Sequence, residues 1–190
     1  MALRVAMQRF ALKKDPRSTA TLADLKEQFA FLIKIRDRLT QANDAVKTIR
    51  NVTYQLSQRE GAMHDADSAS FATTADAFAK RLHTVEDSIY QTQSKASEDP
   101  LNFPIRINNK IAAVMGVVGR TSARPTAQSY AVFNLLSAQL GTQLKLLDAA
   151  MTEDLPKVNA MLERAKLPKI VPSTTELGPE KAEVAEEDGL

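Results

Sequence analysis

Few residues in this chain are of types that do chemistry. There are two histidines, His64 and His83, and no cysteine. Thiolate catalysis, thiolate metal sites and disulfides are therefore excluded. His64-Asp65-Ala66-Asp67 gathers one imidazole and two carboxylates, but no further distant ligand is identifiable to complete a first-row metal site. The segment reads as a loop, with Asp67 or Ser68 capping the next helix. His83 follows the apolar Leu82 and reads as a structural residue beside a helix seam. Glu27, Asp37, Glu60, Glu86 and Asp87 fall at positions that read as exposed on helices. None of them singles out a pair for acid and base work across a cleft. Glu-x-x-His motifs, a Gly-rich phosphate loop and a Gly-x-Ser-x-Gly elbow do not occur. The expectation is a chain that is not an enzyme and holds no cofactor and no metal.

Two stretches suggest contact rather than conversion. One is Asn102-Phe103-Pro104-Ile105-Arg106-Ile107-Asn108-Asn109-Lys110, where amides and an arginine enter an otherwise apolar helix. Asn102, Phe103, Arg106, Asn108 and Asn109 are candidates for recognising a ligand or partner. The structural alternative is that these amides hydrogen-bond the backbone of the preceding Asp-Pro-Leu-Asn-Phe-Pro connection, because buried polar groups must be paired. The other stretch is the N-terminus. Val5 and Met7 alternate with Phe10 and Leu12 on two faces, which suits a strand borrowed by a neighbouring module.

The elements that would position these residues are helical. Thr21-Leu-Ala-Asp24 has the form of a capping box and opens a helix over about 21–58, roughly 55 Å long. Its apolar seam is Leu22, Leu25, Phe29, Leu32, Ile35, Leu39, Ala42, Val46, Ile49, Thr53 and Leu56. Gly61 ends it. A second helix carries Phe71, Ala75, Phe78, Leu82, Val85 and Ile89 at alternating steps of four and three, fading through Thr92 and Ala96. The connection over 99–104 is bracketed by Pro100 and Pro104, with Leu101 and Phe103 expected to plug a bundle end. A third helix over about 105–120 presents Ile107, Ile111, Val114 and Val118. Its Ala112, Ala113, Gly116 and Gly119 leave it slim enough for a close neighbour. Pro125 suits the first position of a fourth helix, whose seam is Tyr130, Phe133, Leu136, Leu140, Leu144, Leu147 and Met151. Asp154 reads as the cap of a short fifth helix ending near Lys166. The fold expected is all-α: an antiparallel four-helix bundle with a short fifth helix. It divides into an extended or β-like arm (1–17), the bundle (18–167) and a disordered acidic tail (168–190).

The composition suits such a domain, with 44% hydrophobic and 25% charged residues. The net charge of +2 is uneven: residues 172–190 carry −5 and residues 1–171 carry +7. No dense Lys/Arg cluster or aromatic ladder accompanies the basic body, so nucleic acid is not an expected partner. Anionic lipid is the partner a basic bundle would otherwise take, and peripheral membrane contact stays open. No apolar run approaches the roughly 18 residues of a transmembrane helix. Arg4 and Arg9 interrupt what a signal peptide would need. The compartment stays open.

Several motifs carry a resemblance. Asp99-Pro-Leu-Asn-Phe-Pro-Ile-Arg-Ile-Asn-Asn-Lys-Ile-Ala-Ala, Ala123-Arg-Pro-Thr-Ala-Gln-Ser-Tyr and Asp154-Leu-Pro-Lys-Val-Asn resemble the C-terminal helical region of bacterial sortilin-like proteins with Asp-box (BNR-repeat) β-propellers. Such proteins are often classed with the glycosyl hydrolases. Lys14-Asp-Pro-Arg-Ser is similar to that family's passage from a small β-domain into its helices. The resemblance spans about 14–171. It implies that any carbohydrate chemistry belongs to a propeller, whose Ser-x-Asp-x-Gly-x-Thr-Trp repeat this chain lacks. It also implies an exported parent. The function expected is a non-catalytic scaffold or interaction module, an accessory subunit or domain docking on a larger assembly or a β-rich partner domain. The alternatives are a fragment of a carbohydrate-active propeller protein and a basic bundle binding anionic lipid or nucleic acid.

Overall fold

The computed structural model of the chain describes residues 7–63, 68–94, 96 and 98–175. The order is α1 (Leu22–Ala62), α2 (Ser68–Ile89), a 3-10 turn (Asp99–Leu101), α3 (Ile107–Gly119), α4 (Ala127–Glu153) and α5 (Leu155–Arg164). The all-helical bundle of four helices with a short fifth is thus present. There is no strand among the described residues. Residues 7–14 form neither helix nor strand. Val5 and the His64–Asp67 segment lie outside the described residues.

Helix α1 opens on the expected capping box. The Thr21 hydroxyl accepts from the Asp24 amide at 3.1 Å, and the Asp24 carboxylate accepts from the Thr21 amide at 3.0 Å. The Thr21 hydroxyl also donates to that carboxylate at 2.6 Å, and this bond, followed by the one from the Thr21 amide, holds the Asp24 carboxyl below its ordinary range. All six residues of the α2 seam are buried, from Phe71 to Ile89. The α1 seam is buried from Ile35 onward at Ala42, Val46, Ile49 and Leu56, but its start differs. Phe29 is 66% exposed, and Phe31 is buried instead. Two successive steps of three, Phe29 to Leu32 to Ile35, each fall about 60° short of a turn. Phe29 is thereby carried about 120° off the buried face. Phe31 packs its ring 4.1 Å from Tyr130 and 5.3 Å from Phe133, edge-on to the latter.

The helices form three legs. Arg50 of α1 meets Glu86 of α2, Asn43 meets Asn108 of α3, and Gln28 donates to the carbonyl of Val118. Descending α1 therefore traverses α2 and then α3. Both run opposite to α1 and in the same direction as each other, so the connection between them does not reverse the chain as a bundle turn would. Helix α4 turns back antiparallel to α2 and α3 and alongside α1, where the Arg38 guanidinium donates to the Ser137 carbonyl. A Cβ on Gly141 would come within 3.2 Å of that guanidinium, so the glycine makes room for it.

The connection over 90–106 is stapled by Gln91. Its amide donates to the Pro104 carbonyl at 2.8 Å and its carbonyl accepts from Gln93 at 3.2 Å. Leu101, expected to plug the bundle, is 84% exposed. The amides of Asn102 and Phe103 both close on the Asp99 carbonyl, and this tight turn leaves Leu101 outside and Phe103 half-buried. Pro125 is not the first helical residue. Thr126 follows it as the cap, accepting from Ser129 at 3.2 Å.

Asp154 does not cap α5 through its side chain. The carboxylate instead takes Lys157 at 3.0 Å and Arg81 of α2. Burial works to raise its pKa, the bonds from Lys157 and Arg81 outweigh that, and the carboxyl lies below its ordinary range. Helix α5 ends on Lys166 in the left-handed region (φ 57°), with Leu167 N–H on the Leu162 carbonyl and Lys166 N–H on the Glu163 carbonyl.

The chain beyond 167 also departs from expectation. Residues 168–175, read from sequence as the start of a disordered tail, form a strap across α1. Ile170 is 2% exposed in the core, and Asn159 of α5 bonds its backbone at both N–H (2.7 Å) and C=O (3.1 Å). Gln55 does the same for Val171, and Asn51 donates to the Thr175 carbonyl at 2.8 Å.

Candidate functional site

The residues singled out from sequence are not gathered in one place. Met7, Phe10 and Leu12 are almost wholly exposed on the arm. Asn102 and Arg106 are exposed, and Arg106 supplies the N-cap position of α3 without a side-chain cap bond. Asn108 is buried, 3.5 Å from the Asn43 side chain, with its carbonyl accepting from the Asn109 amide at 2.7 Å. Phe103 and Asn109 are brought together. They line a recess of about 110 Å³ with Tyr90, Gln91 and Ser94. The amide that satisfies the Asp-Pro-Leu-Asn-Phe-Pro backbone belongs to Gln91.

Glu86, read from sequence as exposed, is buried against α1. Its carboxylate takes Arg50 at 2.6 Å and lies 3.3 Å from the His83 ring, while the Arg50 guanidinium covers the Tyr90 ring at 4.7 Å. Burial works most strongly against the Arg50 charge, but the hydrogen bond and charge of Glu86 together with Tyr90 outweigh it, and the guanidinium pKa is raised. This carboxylate meets a guanidinium and not a second carboxyl group, so it lacks the pairing of a glycoside hydrolase. Among the described residues, no three His, Asp or Glu side chains come together as metal ligands. No helix of the described residues is long and apolar enough to cross a membrane.

An open concavity lies between α3 and the first half of α4. It has a volume of about 470 Å³. Ile105, Ala113 and Val117 form one wall, and Val132 and Leu136 the other, with Lys110, Thr126 and Gln128 at the rim. Val117 is 61% exposed and Leu135, next to the groove, 60%. A Cβ at Gly116 would meet no atom within 4 Å, so no described residue supplies the close neighbour that the slim face of α3 invites there. Gly119 does approach α1, with Leu32 Cδ2 at 3.9 Å from its Cβ position.

The stretch of chain that forms the groove is basic. Residues 100–147 contain Arg106, Lys110, Arg120, Arg124 and Lys145 and no acid. Arg124 is engaged by Glu27 at 2.8 Å, and Glu27 also accepts from the Tyr130 hydroxyl at 3.1 Å. Burial, then that bond to Glu27, raises the Tyr130 pKa. The signal for the groove was present in sequence as Val132 and Leu135, apolar residues off the α4 seam. An apolar residue off the seam is ordinary when single, and only the structure shows Val132 in one groove with Val117 and Ile105.

The fold and groove define an all-helical bundle with an open apolar channel on one side. No family model, curated protein or solved structure matches the chain.

Proposed function

We propose that this chain is a non-catalytic docking module, an accessory subunit or domain that seats part of a larger assembly in the α3–α4 groove. The observation that carries this reading is the groove itself. Several of its apolar side chains stand in water on a bundle that buries the α2 seam throughout and the α1 seam from Ile35 onward at Ala42, Val46, Ile49 and Leu56. Fully burying one such side chain is worth roughly 1.5–3 kcal/mol. Ile105, Val117 and Val132 are each about half exposed, so covering them yields about 2–4.5 kcal/mol. That alone supports only weak binding, with a Kd of about 1 mM or weaker. A stable complex therefore needs further contacts, and the cations at the rim and the arm with Met7, Phe10 and Leu12 can supply them. A β-rich partner would add the arm as a strand. A β-propeller of the kind suggested by the resemblance is one such partner, and in that proposal it would hold any carbohydrate chemistry.

The test is retention of a partner by the tagged chain isolated from its native source. A single protein should copurify in near-equal amounts with the wild-type chain and be lost from a Val117→Asp/Val132→Asp variant of unchanged helicity. Equal retention by the variant would move the docking surface elsewhere. A strictly monomeric chain with no copurifying protein would refute the reading.

A further inference from the structure

We propose that the α3–α4 groove receives an amphipathic helix of a partner protein whose flanks carry Asp and Glu. The inference rests on the docking reading above and names its occupant. Thr126 to Leu136 spans ten residues, about 15 Å, which matches three turns of a guest helix. Ala113 and the neighbouring Gly116 keep the α3 wall low, so the guest can lie close. Both walls are helices, and their backbone groups are already paired within them. An extended guest would leave its own N–H and C=O groups unpaired against apolar side chains, whereas a helix satisfies its own.

Charge decides the flanks. Arg106 stands just before the first turn of α3, Lys110 lines the groove, and Arg120 follows the last turn of α3. Residues 100–147 carry no acid, and Glu27, which reaches this region from α1, is already bound to Arg124 and Tyr130. Acidic flanks on the guest meet these cations, and basic flanks are repelled. The same charges count against a second copy of this chain, because two such faces brought together would set Arg106, Lys110 and Arg120 against their like. The concave shape counts against a bilayer, whose flat surface would leave the floor of the channel unfilled.

The experiment titrates the full chain with three synthetic peptides by calorimetry. One is a helix with a Leu stripe at i, i+3, i+4 and i+7 and Glu flanks. The second has Lys in place of Glu, and the third is a scramble of the first. The Glu-flanked helix should bind at least about tenfold tighter than the other two, and more weakly as salt rises. Val132→Asp should weaken it by about tenfold or more, and Arg106→Glu/Lys110→Glu should reverse the preference toward the Lys-flanked helix. Both sites are on the surface, and circular dichroism of each variant confirms that it is folded. Equal binding of the two helices, indifference to Val132→Asp, or no peptide binding overturns the inference. So does binding that appears only on phosphatidylserine vesicles, or a dimer of this chain that Val132→Asp dissolves. If the native partner still requires Val117 and Val132 but the Glu-flanked helix does not compete with it, the inference fails and the docking reading stands.

Discussion

Replacing Ile170 by Ala tests whether the strap is part of the core. The side chain is 2% exposed, and its backbone is held at both N–H and C=O by Asn159. The substitution removes three carbons, which at ~0.8 kcal/mol each is about 2.4 kcal/mol of lost transfer free energy. The space left behind adds to this, because the surrounding α1 and α5 side chains relax only in part. The expected loss is roughly 2.5–4 kcal/mol. In a chain of this size that lowers the thermal midpoint by roughly 5–15 °C. Urea unfolding followed by far-UV circular dichroism measures it, with Lys169→Ala as the exposed neighbour for comparison. A loss under about 0.5 kcal/mol, the level of a surface substitution, would refute the packing of residues 168–175 against the bundle.

Three further outcomes follow from the same geometry. Phe31→Ala should cost about 3–5 kcal/mol and Phe29→Ala less than about 0.5, read as the shift in denaturation midpoint; the reverse order would restore the seam expected from sequence. Lys166→Gly should raise stability by roughly 0.5–1 kcal/mol, because a side chain at φ 57° is strained where glycine is not, and a loss would show that the Lys166 side chain has a role there. Asp24 and Asp154 both have pKa values held below the ordinary 3.8, so their contribution is complete above that pH and is lost as pH falls below it. Midpoints measured from neutral to acid pH should drop less steeply below about pH 4 in Asp154→Asn than in the wild-type chain, and parallel curves would contradict the assignment.

How far the sequence revealed the molecule depended on the kind of force at each position. The α2 seam was legible because its steps of four and three stay in phase with the helix throughout. The capping box at Thr21 was legible because both partners lie within one turn. The start of α1 was misread because two steps of three look regular along the chain yet rotate around the helix. Glu86 was misread because its burial is balanced by Arg50, a residue on another element. The strap was hidden for a similar reason: the Pro, Gly, Thr and acidic composition from Pro168 onward reads as tail, and its anchors lie on other elements, Asn159 on α5 and Asn51 and Gln55 on the distant α1. The slim face of α3 was seen from its small residues. That no described residue approaches Gly116, and that Val132 lines the opening, emerged only when α3 and α4 were set side by side.

The docking claim can be tested directly because the chain has no cysteine. Val117→Cys introduces a single labelling site in the groove, and Thr73→Cys one on the exposed side of α2. Each is coupled to a benzophenone maleimide, mixed with an extract of the native source and illuminated. A single cross-linked product of defined mass should form from position 117, not from position 73, and should vanish when Val132→Asp is added. Equal cross-linking from both positions, or a product from 117 that survives Val132→Asp, would contradict the groove as the docking surface.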